Sequence, residues 1–403
     1  MLSQKRPQIS LVFLIIVSLL GCCMEIDLSV PSFPSIMAYF GASEIQVQNT
    51  LSLNFLAFCI SGLLYGPLSE SWGRRGLMLF GATCFLVGAT GCVFSHSIYE
   101  LMFWRFVQGL GASSTLVLGF AMISDRYSGD VAARHIGKIN AYVTIFTAAA
   151  PILGSMIVYY FTWQVNFMVI AMIALFAWIL LALGLPETKA QTQSLNVKQI
   201  FTDYKSILSH REFQLYALMP NMLVTAYLTF VGSAAFYYMN TCKLPVLVYA
   251  LHQGLLVGFF SLTSFNADKV VKLIGSSRAV LLGMLCSGIG TVLFILFAFV
   301  VPTKPTLVTG AICLCAVGAA FPMSVTFAQS LEIIPSLKGA CSSFIMSSRL
   351  LLSSVAVMLT GVFFDGSMRP VALINATAIA IAFLCYFAIE KSKQNNVAMA
   401  TTS

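Results

Sequence analysis

The sequence predicts an all-α membrane protein in which 12 transmembrane helices form two six-helix bundles. Of the 403 residues, 59% are hydrophobic and only 9% are charged, whereas a soluble domain has about 25% charged residues. So little charge cannot cover a soluble surface of this size, and lipid must therefore be the solvent. Apolar runs of the length that a spanning helix needs, about 20 residues, recur along the whole chain. The lysines and arginines lie almost entirely in alternate loops between these runs.

Twelve apolar runs are long enough to span a bilayer. They are 11–36, 47–67, 76–95, 99–122, 136–160, 165–185, 213–238, 247–266, 278–301, 306–328, 339–363 and 370–390. With the N-terminus inside, 17 lysines and arginines fall in cytoplasmic segments and three fall outside. Positive residues favour the cytoplasmic side, so both termini are predicted to be cytoplasmic.

The longest polar connection lies between the sixth and seventh runs and divides the chain into halves. The predicted divisions are a first bundle at 1–185, a cytoplasmic central loop at 186–212, a second bundle at 213–391 and a disordered tail at 392–403. The stretch 266–278 occupies in the second half the place that the charged loop 66–75 has in the first. This repetition indicates two related bundles around a cavity at the membrane midplane.

The first run imitates a cleavable signal peptide. Lys5 and Arg6 precede it, and Leu19-Leu20-Gly21-Cys22 resembles a lipoprotein cleavage box. Two features favour an uncleaved helix: the apolar character continues to Ile36, and removal of this run leaves an odd number of spans. The cysteines, most of them inside apolar runs, have no C-x-x-C pair or histidine cluster. They predict small buried hydrophobic residues and no metal site.

Charged residues inside the bilayer are costly, so each is a functional candidate. They are Glu25, Asp27, Arg105 and Arg349. Asp27 and Arg105 lie at comparable depths and are expected to meet, whereas Glu25 and Asp27 point about 200° apart on a helix. Glu25 is interpreted as a second proton site or as a carboxyl near the outer vestibule. Arg349, between serines, is expected to contact an anionic substrate or to pair with an acid such as Glu25.

Further polar and helix-breaking residues complete the candidate cavity. Gln108 follows Arg105 by one turn on the same face. Asn221 and His252 are cavity candidates in the second half, with helix–helix hydrogen bonding as the alternative interpretation. Pro151 removes a helix hydrogen bond, and Gly154 permits close packing against a neighbouring helix.

The loop Gly66-Pro67-Leu68-Ser69-Glu70-Ser71-Trp72-Gly73-Arg74-Arg75 resembles the loop between the second and third helices of major facilitator superfamily transporters. That pattern is roughly G-x-L-[SA]-D-R-x-G-R-[RK]. The matching residues are Gly66, Leu68, Ser69, Gly73, Arg74 and Arg75. Glu70 stands in place of Asp, and Ser71 in place of Arg. The resemblance implies a cytoplasmic latch that controls conformation, with a weaker charge relay because Ser71 removes one positive charge.

A second resemblance is to the Bcr/CflA group of drug/proton antiporters. Asp27, Pro31 and Pro34 match the first-helix pattern T-D-M-Y-L-P-A-L-P in register, and Arg105-Phe106-Val107-Gln108-Gly109-Leu110-Gly111-Ala112 matches R-x-x-Q-G-x-G-A. Pro151 and Gly154 remain from the signature G-x-x-x-G-P-x-x-G-G, and Trp163-Gln164-Val165-Asn166-Phe167 resembles W-R-x-x-F. The resemblance implies that Asp27 is protonatable or faces the substrate. It also implies that Arg105 assists proton transfer by acting electrostatically on a nearby carboxyl.

The resemblance implies proton-coupled export of a small organic compound or drug across the bacterial cytoplasmic membrane by alternating access. The alternatives are import of a nutrient by proton symport or facilitated diffusion, and export of a metabolite such as a siderophore or nucleoside. A membrane enzyme or receptor is a third hypothesis, but the chain has neither a P-loop nor an H-E-x-x-H motif. We expect a monomer in the lipid bilayer that uses the proton gradient, without a cofactor, and that binds no nucleic acid.

Overall fold

Helices account for nearly all of the structure. The computed structural model describes residues 10–189 and 194–402, and over these residues it contains α-helices but no β-strand. The α-helices are α1 (Leu11–Ser29), α2 (Phe33–Phe40), α3 (Glu44–Trp72), α4 (Arg74–Val93), α5 (Ile98–Arg126), α6 (Gly129–Tyr160), α7 (Trp163–Gly184), α8 (Val197–Ser209), α9 (Arg211–Ala235), α10 (Val246–Ile274), α11 (Ser276–Val300), α12 (Pro305–Ile333), α13 (Lys338–Phe363) and α14 (Arg369–Thr402). In these residues, 12 helical segments are long and apolar enough to cross a membrane, as predicted.

Two spans are built from more than one helical element. A 3₁₀ turn, Val30–Ser32, joins α1 to α2, so the first span continues to Phe40. Pro31 lies in that turn and donates no backbone hydrogen bond, which favours the local departure from α-helix. A π-helical turn, Phe236–Thr241, extends α9 in the same way at the seventh span.

The two halves repeat the same helix pairings. In the first half α1 packs against α6 and α7, and α5 packs against α3 and α4. In the second half α9 packs against α13 and α14, and α12 packs against α10 and α11. Two seams join the bundles, α3 with α13 and α6 with α10. The fold is therefore a pair of related six-helix bundles, the arrangement that the sequence predicts.

A single glycine links corresponding helices in each half. Gly73, between α3 and α4, has φ 86° and ψ 158°; Gly275, between α10 and α11, has φ 85° and ψ 155°. Only glycine adopts this region of backbone space readily. The two halves thus share the backbone conformation of this glycine link, but not the charged side chains of the loop 66–75. The stretch 266–274, predicted as loop, is helical, because no glycine or proline interrupts it before Gly275.

The central connection contains a helix that the sequence analysis missed. Helix α8 begins at the side chain of Asn196, which accepts a hydrogen bond from the backbone N–H of Gln199 over 3.0 Å. Its apolar face contacts the second bundle, where Ile207 is fully buried. On the first bundle, the hydroxyl of Tyr204 donates to the main-chain oxygen of Leu63 over 2.9 Å. Helix α8 therefore contacts both bundles beside the α3–α13 seam.

The last helix also differs from the prediction. A disordered tail was expected from Ser392, but α14 continues as helix to Thr402. The physical reason lies in its composition, because neither glycine nor proline occurs after Pro370 to end the helix. The part of this helix that can span a membrane ends at Gln394.

Apolar packing between the two bundles differs between the two ends of the molecule. We call the end that carries Arg74, Arg75 and α8 the basic end, and the other the opposite end. Toward the opposite end one apolar cluster includes residues of both halves, and the rings of Phe33 and Phe236 lie 6.0 Å apart across the interface. Toward the basic end, the apolar clusters of the first and second bundles are separate. Apolar contact between the bundles is therefore concentrated at the opposite end, and toward the basic end they meet through α8 and the α3–α13 seam, where Gly66 lies close to the hydroxyl of Ser343.

Candidate functional site

Arg105 in α5 forms an ion pair with Glu25 in α1. Its Nη1 lies 3.3 Å from Oε2 of Glu25 and donates to Oε1 of Gln108 over 2.8 Å. The side chains of the pair are only 1% and 2% exposed. The expected pairing of Arg105 with Asp27 is therefore wrong. Since helical residues two apart point about 200° from each other, only one of the two acids faces α5, and it is Glu25.

Around Arg105, α5 meets its neighbours backbone to backbone. The side-chain amide of Asn54 donates to the main-chain oxygen of Arg105 over 3.1 Å. A Cβ at Gly109 would lie 2.2 Å from the main-chain oxygen of Asn54, and one at Gly111 would lie 2.2 Å from the backbone nitrogen of Phe85. Both glycines therefore permit close packing of α5 against α3 and α4. Asn54 is not among the predicted site residues, although an amide side chain inside an apolar run indicates a polar contact.

Asp27 lies on the other side of α1, toward the second bundle. Its side chain is partly exposed although it sits in the protein interior. Over the described residues it makes neither an ion pair nor a side-chain hydrogen bond. Tyr227 in α9 and Tyr249 in α10 are close enough to interact with it electrostatically. An unpaired carboxylate at this depth is costly, so its protonation depends on what else occupies the cavity.

Helix α6 packs against α1 next to Asp27. Pro151 lies inside α6, and a Cβ at Gly154 would lie 2.3 Å from the main-chain oxygen of Leu28. The side-chain amide of Asn166 in α7 donates to the main-chain oxygen of Gly154 over 3.3 Å. Pro151 and Gly154 thus lie where α6 touches α1, one residue from the unpaired acid. Nothing in the motif that begins at Trp163 predicts this contact of Asn166.

In the second bundle, Arg349 is held by an amide rather than by an acid. Its Nε donates to Oδ1 of Asn221 over 3.1 Å. Asn221 in turn donates through Nδ2 to the hydroxyl of Ser348 and to the main-chain oxygen of Ile345, each over 3.0 Å. The hypothesis that Arg349 pairs with Glu25 is wrong, because Glu25 faces Arg105 within the first bundle. Two predicted cavity residues, Arg349 and Asn221, are therefore direct neighbours.

His252 belongs to a different cluster. Its Nδ1 lies 2.7 Å from the hydroxyl oxygen of Thr309, and the hydroxyl of Tyr238 lies 2.6 Å from the same atom. His252 and Thr309 line a groove of about 400 Å³ between α10 and α12, together with apolar side chains such as Leu255 and Phe259. The residues that line this groove include neither Asp27 nor Arg349. This groove therefore does not bring His252 together with Asp27 or Arg349.

The charged loop between α3 and α4 forms an ion cluster at the basic end. Nη2 of Arg74 lies 2.5 Å from Oε1 of Glu70, and Nε of Arg74 lies 3.0 Å from Oδ2 of Asp125 at the end of α5. Arg74 also contacts the hydroxyl of Ser69, and Lys189 pairs with the second oxygen of Glu70. The sequence predicts a weaker relay because Ser71 replaces an arginine. Lys189, from the segment after α7, instead supplies a second positive charge to Glu70.

Glu187 joins that cluster to the start of α4. Its carboxylate accepts hydrogen bonds from the backbone N–H groups of Arg74 and Arg75, each over 3.0 Å. A helix N-terminus has unpaired N–H groups and a positive dipole end, and a carboxylate satisfies both. Partial burial raises the pKa of Glu187, but the backbone donors of Lys189, Arg74 and Arg75 outweigh it and hold this pKa below its ordinary value.

Residues 15–357 match the family model described as the Major Facilitator Superfamily. The chain belongs to this superfamily. It is therefore a multi-pass membrane transporter and not an enzyme. The family assignment agrees with the ion cluster at Gly73 and with the two related bundles.

Three relatives show the breadth of the similarity within the superfamily. An uncharacterized MFS-type transporter of Bacillus subtilis, YdgK, is 26% identical over 96% of this chain and 97% of its own. The chloramphenicol resistance protein CraA of Acinetobacter baumannii is 25% identical over 83% of this chain and 80% of its own. A bicyclomycin resistance protein homolog of Haemophilus influenzae is 24% identical over 90% and 91%. Drug-resistance transporters are thus among its relatives.

Similarity to solved structures supports the fold independently. A crystal structure of the nucleoside transporter NupG superposes with a TM-score of 0.73, covering 95% of this chain and 99% of that one. The sequence identity of this pair is 13%. At this identity the likeness concerns the arrangement of the helices alone.

Proposed function

We propose that this protein exports a small organic compound in exchange for protons, in the manner of the Bcr/CflA drug/proton antiporters. The observation that carries the proposal is that only one of the two acids of α1 has an ionic partner among the described residues. Glu25 is neutralised by Arg105 in the first bundle, whereas Asp27 faces the second bundle without an ionic partner among the described residues. Relatives named for chloramphenicol and bicyclomycin resistance support export of such compounds.

Asp27 is the proposed coupling group. When the cavity is open to the outside, a proton binds the Asp27 carboxylate and removes an uncompensated charge from the interior. When the cavity is open to the basic end, a substrate that displaces this proton completes the exchange. Arg105 gives the Glu25 carboxylate an ionic partner, whereas Asp27 has none among the described residues, so Asp27 is the acid whose charge is left uncompensated.

The proposed orientation puts the basic end in the cytoplasm of a bacterium, with both termini on that side of the inner membrane. The 17-to-three distribution of lysine and arginine supports it. We propose that this conformation is inward-facing, because the apolar cluster that joins both bundles lies toward the opposite end. We propose that the monomer is sufficient, since each bundle supplies part of one central cavity.

Everted membrane vesicles test the direction and the coupling together. The probe is the compound to which overexpression gives the greatest resistance, with chloramphenicol tested first. Adding it to energised vesicles is expected to dissipate the pH gradient in the parent, and Asp27→Asn is expected to abolish this response at equal protein amount. Asp268→Asn, the same change at an exposed position of α10, is the matched control and should behave as the parent.

Two results would contradict the proposal. If the pH gradient responds equally in Asp27→Asn and in the parent, Asp27 does not couple protons to substrate. If overexpression sensitises cells to every compound of a broad panel and vesicles release the compound instead of accumulating it, the transporter is an importer.

A further inference from the structure

Arg349 is a cation in the protein interior whose charge no acid balances. It lies within α13, 11 residues from Lys338 at the basic end, or about 16 Å along the helix. The salt bridges between described residues include none to Arg349. A guanidinium this deep is costly unless it has a partner. Arg105 in the first bundle is fully buried, but its charge is balanced by Glu25.

The Arg349 guanidinium is oriented and partly free. Asn221 accepts from Nε over 3.1 Å, and its own Nδ2 is fixed by Ser348 and Ile345. In the described part of the chain Nη1 and Nη2 have no hydrogen-bond acceptor, and neither is a buried atom, whereas Nη2 of Arg105 is buried. Asn221 therefore fixes the plane of the guanidinium while its two terminal nitrogens face open space inside the protein.

The position of Arg349 relative to the acids follows from contacts across the seam. The hydroxyl of Ser354 in α13 donates to the main-chain oxygen of Ser52 over 2.7 Å. Two residues on, Asn54 binds the backbone of Arg105, so Ser354 lies near the depth of the buried ion pair. Arg349 precedes Ser354 by five residues and is thus about 7 Å nearer the basic end. A compound that enters from that end meets Arg349 before it reaches the acids.

We propose that Arg349, oriented by Asn221, is an oxyanion-binding subsite, and that compounds carrying a carboxylate are among those that this cavity binds. The two free Nη groups form the fork that binds a carboxylate through two parallel hydrogen bonds. Binding there supplies the missing negative charge. The proposal rests on the proposed function in one respect only, that small organic compounds enter this cavity.

Equilibrium binding to the detergent-purified protein tests it without a proton gradient. The probes are dansyl-glycine and its neutral amide, dansyl-glycinamide, which differ only in the carboxylate. The parent is expected to bind dansyl-glycine about 10- to 100-fold more tightly, the range for charge-assisted hydrogen bonds. Arg349→Gln is expected to remove the preference and to leave the affinity for the amide unchanged, and Arg349→Lys to keep part of it, because lysine retains the charge without the fork.

Each other outcome overturns the proposal. A parent that does not prefer the carboxylate, or that binds neither probe, lacks the subsite. An equal loss of affinity for both probes in Arg349→Gln means that Arg349 only supports the fold. Because no proton movement is measured, these outcomes are independent of the vesicle test of Asp27. Asp27 can fail to couple protons to substrate while the Arg349 subsite binds carboxylates, and the subsite can be absent while Asp27 couples protons.

Discussion

Substitution of two glycines of the same helix by alanine is expected to change stability in opposite directions. At Gly154, a Cβ would lie 2.3 Å from the main-chain oxygen of Leu28, where a carbon–oxygen contact needs about 3.3 Å. The obstacle is backbone, so no rotamer change relieves it, and α1 and α6 must separate by about 1 Å. Overpacking of this kind costs about 1–3 kcal/mol. At Gly137, by contrast, a Cβ meets nothing within 4 Å.

Gly137→Ala is therefore expected to stabilise the protein by about 0.5–1 kcal/mol, the helix propensity difference between the two residues. The difference between the two variants is then about 1.5–4 kcal/mol by these ranges. Thermal unfolding of the purified proteins in one detergent measures it, with the parent as the reference. Vesicle transport is expected to fall for Gly154→Ala, since α1 carries Asp27. Equal stability of the two variants would refute the assignment of Gly154 as a backbone contact.

Three further predictions concern other parts of the molecule. Gly73→Ala and Gly275→Ala each introduce the same backbone strain, about 1–3 kcal/mol. Only at Gly73 would the new Cβ also approach Glu187, 2.7 Å from its Oε2, so Gly73→Ala should have the lower melting temperature. Equal melting temperatures would argue against the Glu187 contact. Glu25→Gln leaves the charge of the buried Arg105 uncompensated and should lower the free energy of unfolding by about 3–5 kcal/mol. The double variant Glu25→Gln/Arg105→Gln should melt at a higher temperature than Glu25→Gln alone. A Glu25→Gln variant as stable as the parent would contradict the ion pair. Because its pKa is lowered in the folded state, Glu187 stabilises at neutral pH and loses this effect as the pH falls through that lowered value; melting curves of the parent and Glu187→Gln should therefore converge in acid.

The sequence is sufficient to predict the fold because its determinants are local. Each span is a run of apolar residues about as long as a bilayer is thick, and it can be read from neighbouring residues alone. Helix α8 was missed because, at 13 residues, it is too short for a span and lies in a charged segment. Its signal was present, since Ile200, Tyr204 and Ile207 recur with the spacing of an amphipathic helix. A helical repeat of apolar residues inside the central connection therefore predicts α8, just as the longer apolar runs predict the spans.

The site was predictable by residue but not by contact. The rarity of charge inside the spans singles out Glu25, Asp27, Arg105 and Arg349. Which acid faces Arg105 depends on the rotation of α1 about its axis, and that rotation is set by packing between helices distant in sequence. Likewise, nothing local connects Arg349 in α13 with Asn221 in α9, 128 residues apart. Depth along a helix follows from counting residues, whereas the direction of a side chain requires the assembled bundle.

The central claim is that substrate and proton compete at Asp27, and proton release on binding tests it most directly. The purified protein is placed in weakly buffered detergent solution at a pH where the parent is protonated, and the transported compound is added while the pH is recorded. The parent is expected to release protons on binding, and Asp27→Asn to bind the compound without releasing them. Proton release of the same size from Asp27→Asn and from the parent would contradict the account.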